Sequence, residues 1–349
     1  MNKIRVLIVE DSKVIREFLE YIIGRDPRLE IVGSVESAEE ALRILPRVSP
    51  DVISMDIRLP GMNGFEATQT IMRERPTPVV VVSASVEQAD LQITMNALRA
   101  GALTVLEKPV GTTSAEYEAL AQRLCTQLAI MSQVKVVRRH RDARPTQRLV
   151  RTAVSRPSDY RVLGVVSSTG GPNALIQLLN GLGADFPLPI LLVQHITSSF
   201  LEGFAAWLDG VCPFSVEIAT DRQIPARGKV YLAPRDRHLR IEKGYLNIDS
   251  GDPVCAQRPS GTVLFQSMAS AFGPQALGVL LTGMGDDGAE GLLELRKSGG
   301  YTIAEDESTA VVYGMPAEAL RRGAVLDSLP LPAIALRILE LMASRQEVA

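Results

Sequence analysis

The chain has 349 residues, 46% hydrophobic and 22% charged, with a formal net charge of −3. That length holds two domains of ordinary size, each with its own core, and the composition places it among soluble globular chains rather than disordered ones. The slight negative balance argues against nucleic acid as the overall partner.

From the N-terminus, candidate strands at 5–9, 30–35, 52–55, 79–82 and 103–105 alternate with segments of helical spacing, such as Ile15, Leu19, Ile22 and Ile23. This predicts βαβ units and a mostly parallel sheet. The composition then shifts: between Lys135 and Arg161 stand nine basic residues against Asp142 and Asp159, with prolines at 145 and 157. Poor apolar periodicity there predicts a semi-extended basic linker. Strands resume at 162–166, 190–194, 229–232, 276–281 and 301–304, with helices expected at 172–182, 289–298 and 316–322. The expected fold class is α/β, with two doubly wound parallel-sheet domains. The boundaries are 1–130 for the first, 131–158 for the linker and 159–349 for the second. Cys125, Cys212 and Cys255 form no CxxC pair, which suits reduced thiols. The longest apolar runs are too short to span a bilayer, and MNKIRVLIVEDS lacks a secretion-signal pattern. The expected compartment is the cytoplasm.

In the first domain Glu10 and Asp11 close the first strand, Asp56 the third and Ser83 the fourth, while Lys108 follows the fifth. An open parallel sheet gathers its functional groups at the carboxyl ends of its strands. Three carboxylates there need a cation, and an all-oxygen set suits Mg²⁺. Lys108 and the Ser83 hydroxyl fit an anion arriving at Asp56. The expected chemistry is formation of an acyl phosphate on Asp56, with Glu10, Asp11 and Asp56 as metal ligands.

In the second domain, GVVSSTGGP places Ser168 where a strand gives way to a glycine turn and a helix opened by Pro172. Free amides at such a turn can stabilise an oxyanion. A serine nucleophile needs a base. Of three histidines, His140 falls in the linker, His195 ends a strand, and His238 is less well placed. The stretch LLTGMGDDGAEG supplies Asp286 or Asp287 to orient His195. Gly283, Gly285 and Gly288 also match a dinucleotide fingerprint, with Glu305 about twenty residues on. Two aspartates beside a pyrophosphate, and too little chain for a second mononucleotide half, argue against that use. No GxxxxGK[ST] occurs, so SSTGG is not a phosphate loop.

The pieces VLIVEDS, MDIRLPGMNGFEA, VVVVSAS and EKP resemble the response-regulator receiver, a flavodoxin-like domain. One departure is Val105, where receivers usually carry an aromatic switch residue. STGGP, VQH, YLAPRDRH, RPS followed by LF, LTGMG with DG, and VYGMP resemble the chemotaxis receptor protein-glutamate methylesterase family, whose esterase domain is Rossmann-like. The resemblance implies Ser168 as nucleophile, His195 as base, Asp287 rather than Asp286 as third member, and Met284 and Thr169 at the oxyanion hole. It implies methylated chemoreceptors as substrate and a chemotaxis-type histidine kinase as phosphodonor. It further implies receptor glutamine deamidation and an esterase crevice covered until Asp56 is phosphorylated. No nucleic-acid partner and no membrane embedding are expected. Family members usually have Gly-Ala where Val166 and Ser167 stand, proline at Thr197, and Val-Asp at Gly261 and Thr262. These departures are expected to bear on substrate fit rather than on the triad. The alternative is a degenerate esterase acting as a phosphorylation-dependent scaffold.

Overall fold

The computed structural model describes residues 3–83, 88–108, 114–134 and 160–343. The expected basic linker lies largely outside them, as does Pro109. The chain divides into two compact units, Met1–Thr146 and Gln147–Ala349.

The first unit runs β1 (Ile4–Val9), α1 (Lys13–Arg25), β2 (Leu29–Val35), α2 (Ala38–Val48), β3 (Val52–Met55), α3 (Gly64–Glu74), β4 (Val79–Ser83), α4 (Gln88–Ala100), β5 (Thr104–Glu107) and α5 (Ser114–Met131). Every strand pairing is parallel, in the order β2-β1-β3-β4-β5. That is the flavodoxin-like order, with its switch point between β1 and β3. β3 and β4 are buried along their whole length, which is why their sequences run apolar without alternation. Asn63 and Glu66 form a capping box that fixes the start of α3, just after the loop carrying Asp56.

The second unit continues with β6 (Val162–Ser167), α6 (Gly171–Leu182), β7 (Ile190–Gln194), α7 (Leu201–Val211), β8 (Ser215–Ile218), β9 (Lys229–Leu232), β10 (His238–Glu242), β11 (Tyr245–Asp249), α8 (Gly261–Phe272), β12 (Ala276–Leu280), α9 (Ala289–Lys297), β13 (Tyr301–Glu305), α10 (Met315–Arg321), β14 (Asp327–Leu329) and α11 (Leu331–Ala343). Seven strands form one parallel sheet, ordered β14-β13-β12-β6-β7-β9-β8. Six of them follow the Rossmann order with β6 as first strand, and β8 extends one edge. The chain leaves β6 toward one edge and later returns to its other side at β12. The loops after β6 and β12 therefore flank the switch point.

The expected strands and helices all form, with ends shifted by a residue or two. The antiparallel hairpin β10–β11 was not anticipated. Its turn at Lys243 and Gly244 has positive φ at both residues, 51° and 85°, the geometry that joins two short strands without splaying them.

Candidate active site and acidic pocket

Ser168 follows β6 by one residue and His195 follows β7 by one, and the strands pair in register with Ser167 opposite Gln194. The His195 amide donates to the Ser167 carbonyl at 3.0 Å. Gln194 clamps the two ends, its Nε2 donating to the carbonyls of Ser168 and His195 at 2.9 Å each. Gly170, at φ +79°, leaves no room for a Cβ, which would lie 2.5 Å from Val311. A Cβ on Gly171 would lie 2.1 Å from Gln194 Oε1. The glycine pair is thus required by the turn that lifts Ser168 to the head of α6.

His195 Nε2 lies 2.9 Å from Asp287 Oδ2. Its Nδ1 has no protein partner among the described residues. Asp287, 2% exposed, fills its carboxylate from the amino end of α8. Ser260 Oγ donates to Oδ1 at 2.5 Å, the Gly261 amide to Oδ2 at 2.6 Å and the Thr262 amide to Oδ1 at 3.1 Å. Burial pushes this carboxyl up, but the His195, Ser260 and Gly261 bonds outweigh it and hold it below the usual carboxylate range. Asp286 lies at the surface, 3.5 Å from Arg322, so geometry joins only Asp287 to His195.

Gly283 packs on the nucleophile candidate: a Cβ there would lie 2.8 Å from Ser168 Cβ. The Ser168 amide donates to Thr282 O at 3.0 Å. Thr282 Oγ1 donates to Thr169 O at 2.9 Å, tying the two loops together. Among the described residues, no protein acceptor takes the amides of Thr169 or Met284. Thr169 directly follows Ser168, and Met284 directly follows Gly283, which packs on Ser168; an oxyanion developing there needs donors. Glu305 is 1% exposed, and its Oε2 accepts the Thr282 amide at 2.8 Å. It braces this loop from inside and is not available to a ribose. Asp287, committed to His195 and α8, likewise occupies the heart of the glycine fingerprint.

In the first unit Lys108 Nζ bridges Glu10 Oε2 at 2.7 Å and Asp56 Oδ2 at 2.9 Å, with both carboxylates buried. Oxygens of Glu10, Asp11 and Asp56 lie within 4.8 Å of one another. Burial, and then the Asp56 charge, push Glu10 up to about 7, partly offset by Lys108. Burial likewise raises Asp56, against the pull of Lys108. Acids crowded and desolvated in this way gain from a bound cation, and the donor set is all oxygen. Ser83 ends β4 beside them, its carbonyl accepting the Lys108 amide at 3.0 Å. Val105 is buried within β5, a position with no ring to swing.

The sequence departures fall closer to the triad than expected. Gly261 and Thr262 supply amides to Asp287, and Thr262 Oγ1 accepts the Gly288 amide at 2.8 Å. Ser167 Oγ donates to Gln194 Oε1 at 2.6 Å. These residues therefore bear on the support of the candidate triad as well as on any substrate fit. Ser260, Gln194 and Thr282 went unassigned at the sequence level, and Glu305 was weighed only as part of a dinucleotide fingerprint. RPS was the available signal for Ser260, but nothing local says which acid it faces. A separate cavity of about 800 Å³ opens among Arg161, Pro189, Arg227 and Phe272. It lies at the amino ends of β6, β7 and β9, away from Ser168.

The two folds define a response-regulator receiver joined to a hydrolase domain of α/β type. Residues 6–117 match the response regulator receiver domain and 163–338 the CheB methylesterase domain. The chain belongs to the CheB methylesterase family. It is 58% identical to protein-glutamate methylesterase/protein-glutamine glutaminase 2 of Paramagnetospirillum magneticum, over 97% of this chain and 98% of that protein. The corresponding protein of Nitrosospira multiformis is 43% identical, over 99% and 98%. The crystal structure of the Thermotoga maritima CheB methylesterase catalytic domain is 34% identical, with a TM-score of 0.50. It covers 52% of this chain and 98% of that one.

Proposed function

We propose that this chain is a phosphorylation-controlled hydrolase that removes γ-methyl esters from glutamates of chemoreceptors and deamidates receptor glutamines in chemosensory adaptation. Its domains are a receiver at 1–130, a linker at 131–158 and an esterase at 159–349. It works in the cytoplasm, where a kinase-driven receptor-adaptation enzyme meets its substrate. No helix among the described residues is long and apolar enough to cross a membrane. The observation that carries the chemistry is the His195–Asp287 pair at 2.9 Å, held beside Ser168 at the switch point.

Ser168 Oγ attacks the ester carbonyl while its proton passes to His195. Because Nε2 holds Asp287, Nδ1 is the nitrogen that takes it. Asp287, kept ionised, stabilises the imidazolium. The Thr169 and Met284 amides hold the oxyanion. His195 then protonates the departing methanol, or ammonia from a glutamine. Water, deprotonated by the same nitrogen, attacks the acyl-enzyme; the carbonyl–Oγ bond breaks, Ser168 recovers its proton and the glutamate is released.

In the receiver, a carboxylate oxygen of Asp56 accepts the phosphoryl group from a chemotaxis-type histidine kinase. Lys108 and Ser83 hold the phosphoryl oxygens. Glu10, Asp11 and Asp56 would hold Mg²⁺, which neutralises the charge that gathers there.

The decisive assay is methanol release from methylated receptor membranes, for the intact chain and Ser168→Ala, with and without a phosphodonor and Mg²⁺. Release that requires Ser168 and rises with the phosphodonor is expected. Near-normal release by Ser168→Ala would overturn the assignment and favour a scaffold.

A further inference from the structure

We propose that Ser260, seated by His238, is a positioning residue for the hydrolysis, fixing Asp287 so that the His195 ring stays aimed at Ser168. The proposal rests on the triad assignment above. The Asp287 carboxylate has room for about four donors and receives four: Ser260 Oγ and the Thr262 amide on Oδ1, the Gly261 amide and His195 Nε2 on Oδ2. Ser260 gives the only side-chain bond of the three from α8, and at 2.5 Å the shortest. It sets the plane of the carboxylate, and hence the direction in which Oδ2 meets the imidazole.

Ser260 is itself pinned. It is fully buried, and its amide donates to His238 Nδ1 at 3.2 Å. His238 Nε2 lies 3.0 Å from the Asp252 carbonyl. A carbonyl only accepts, so Nε2 carries the proton and Nδ1 is the acceptor: both bonds require the neutral Nε2–H tautomer. His238 is 1% exposed and reaches the triad through Ser260. It is a fixed acceptor, not a second base.

Ser260 also caps α8, its Oγ accepting the Val263 amide at 3.5 Å. The test must therefore separate capping from positioning. Ser260→Gly does so, because glycine at an N-cap costs a helix only a few tenths of a kcal/mol. It keeps the amide for His238 and removes the Cβ together with the hydroxyl. Methanol release from methylated receptor membranes by the phosphorylated full-length chain is measured as kcat and KM. Ser260→Gly should lower kcat about ten- to a hundredfold, the scale of one lost bond to a charged group. KM should stay within about twofold, while Tm should fall with the bond lost to the buried carboxylate. Ser260→Thr, which keeps a hydroxyl, should recover most of kcat. The downfield proton resonance of the His195 Nε2–H facing Asp287 should shift in the glycine variant and return in the threonine one.

Unchanged kcat and an unshifted resonance in Ser260→Gly would overturn the proposal, leaving Ser260 a helix cap. Ser168→Ala, run in parallel, keeps the two ideas apart. If it retains activity, the triad itself falls. If it is dead while Ser260→Gly is normal, only the positioning role falls. His238→Leu removes the acceptor and should lower kcat about tenfold. His238→Asn offers a side-chain oxygen in the place of Nδ1 and should stay within about threefold. Equal rates in those two would remove His238 from the proposal, and the Ser260 pair decides the rest even if His238→Leu fails to fold.

Discussion

A Cβ placed on Gly261 would lie 2.3 Å from Val166 Cγ1. Val166 thus fills the space that a larger residue at position 261 would need. Gly261→Val alone should overpack the junction of β6 and α8 and cost about 1–3 kcal/mol. Adding Val166→Gly should return much of that loss, a coupling a double-mutant cycle by denaturant unfolding would read. Strict additivity would show that the two positions are unrelated. Asp287 carries a pH signature. Its folded value is below the unfolded one, so its contribution is present above the ordinary carboxylate range and lost as pH falls through the folded value. The Tm gap between the parent and Asp287→Asn should therefore narrow only below about pH 4. The same variant should lose about 10⁴-fold in kcat. Cys125 runs the other way: burial, then the Asp26 charge, push its thiol up to about 11. Its contribution is full below the unfolded value near 9 and is lost as pH rises through 11. At pH 8 a thiol reagent should label the exposed Cys255 and reach Cys125 only on unfolding.

At the scale of elements, the amino ends of α6 and α8 do different work. α6 presents the candidate nucleophile through a turn that only glycine allows. Gly171→Ala would drive a methyl group into Gln194 Oε1 and push Gln194 off the Ser168 carbonyl. Both Tm and kcat should fall, and a normal kcat would show that Gln194 is not needed to hold the turn. α8 presents backbone amides and one hydroxyl to a buried acid, where the helix dipole favours negative charge. The parallel strands were legible because each is a short apolar run between turn residues. β8 and β14, of four and three residues, were not, since edge strands that short carry little period. The hairpin β10–β11 alternates and has a Lys-Gly turn, but it stands outside the βαβ rhythm that guided the sequence analysis.

For the whole molecule, the two units each close their own sheet. The acyl chemistry is confined to the second and the acidic pocket to the first, so control and catalysis should separate on cutting the chain. A 155–349 fragment should hydrolyse receptor esters faster than the unphosphorylated intact chain and be indifferent to phosphodonor. Asp56→Asn in the intact chain should abolish the response to phosphodonor and leave basal release in place. Equal basal rates for fragment and intact chain would remove autoinhibition and keep the enzyme.

Taken alone, the sequence determined the two α/β units, the acids and lysine of the receiver pocket, and the strand ends bearing Ser168 and His195. Those follow from local patterns: apolar runs of strand length that stop at polar or glycine residues, and a fold class that sends strand ends to one rim. It left Asp286 and Asp287 open until the family resemblance chose between them. Tertiary structure decided the rest: Asp287 facing inward while Asp286 meets Arg322, the Nε2 side of His195 turned to the acid, Ser260 and His238 behind it, and Val166 fitted to Gly261. Each joins residues far apart in the chain whose spacing carries no period, so only packing could reveal which groups meet.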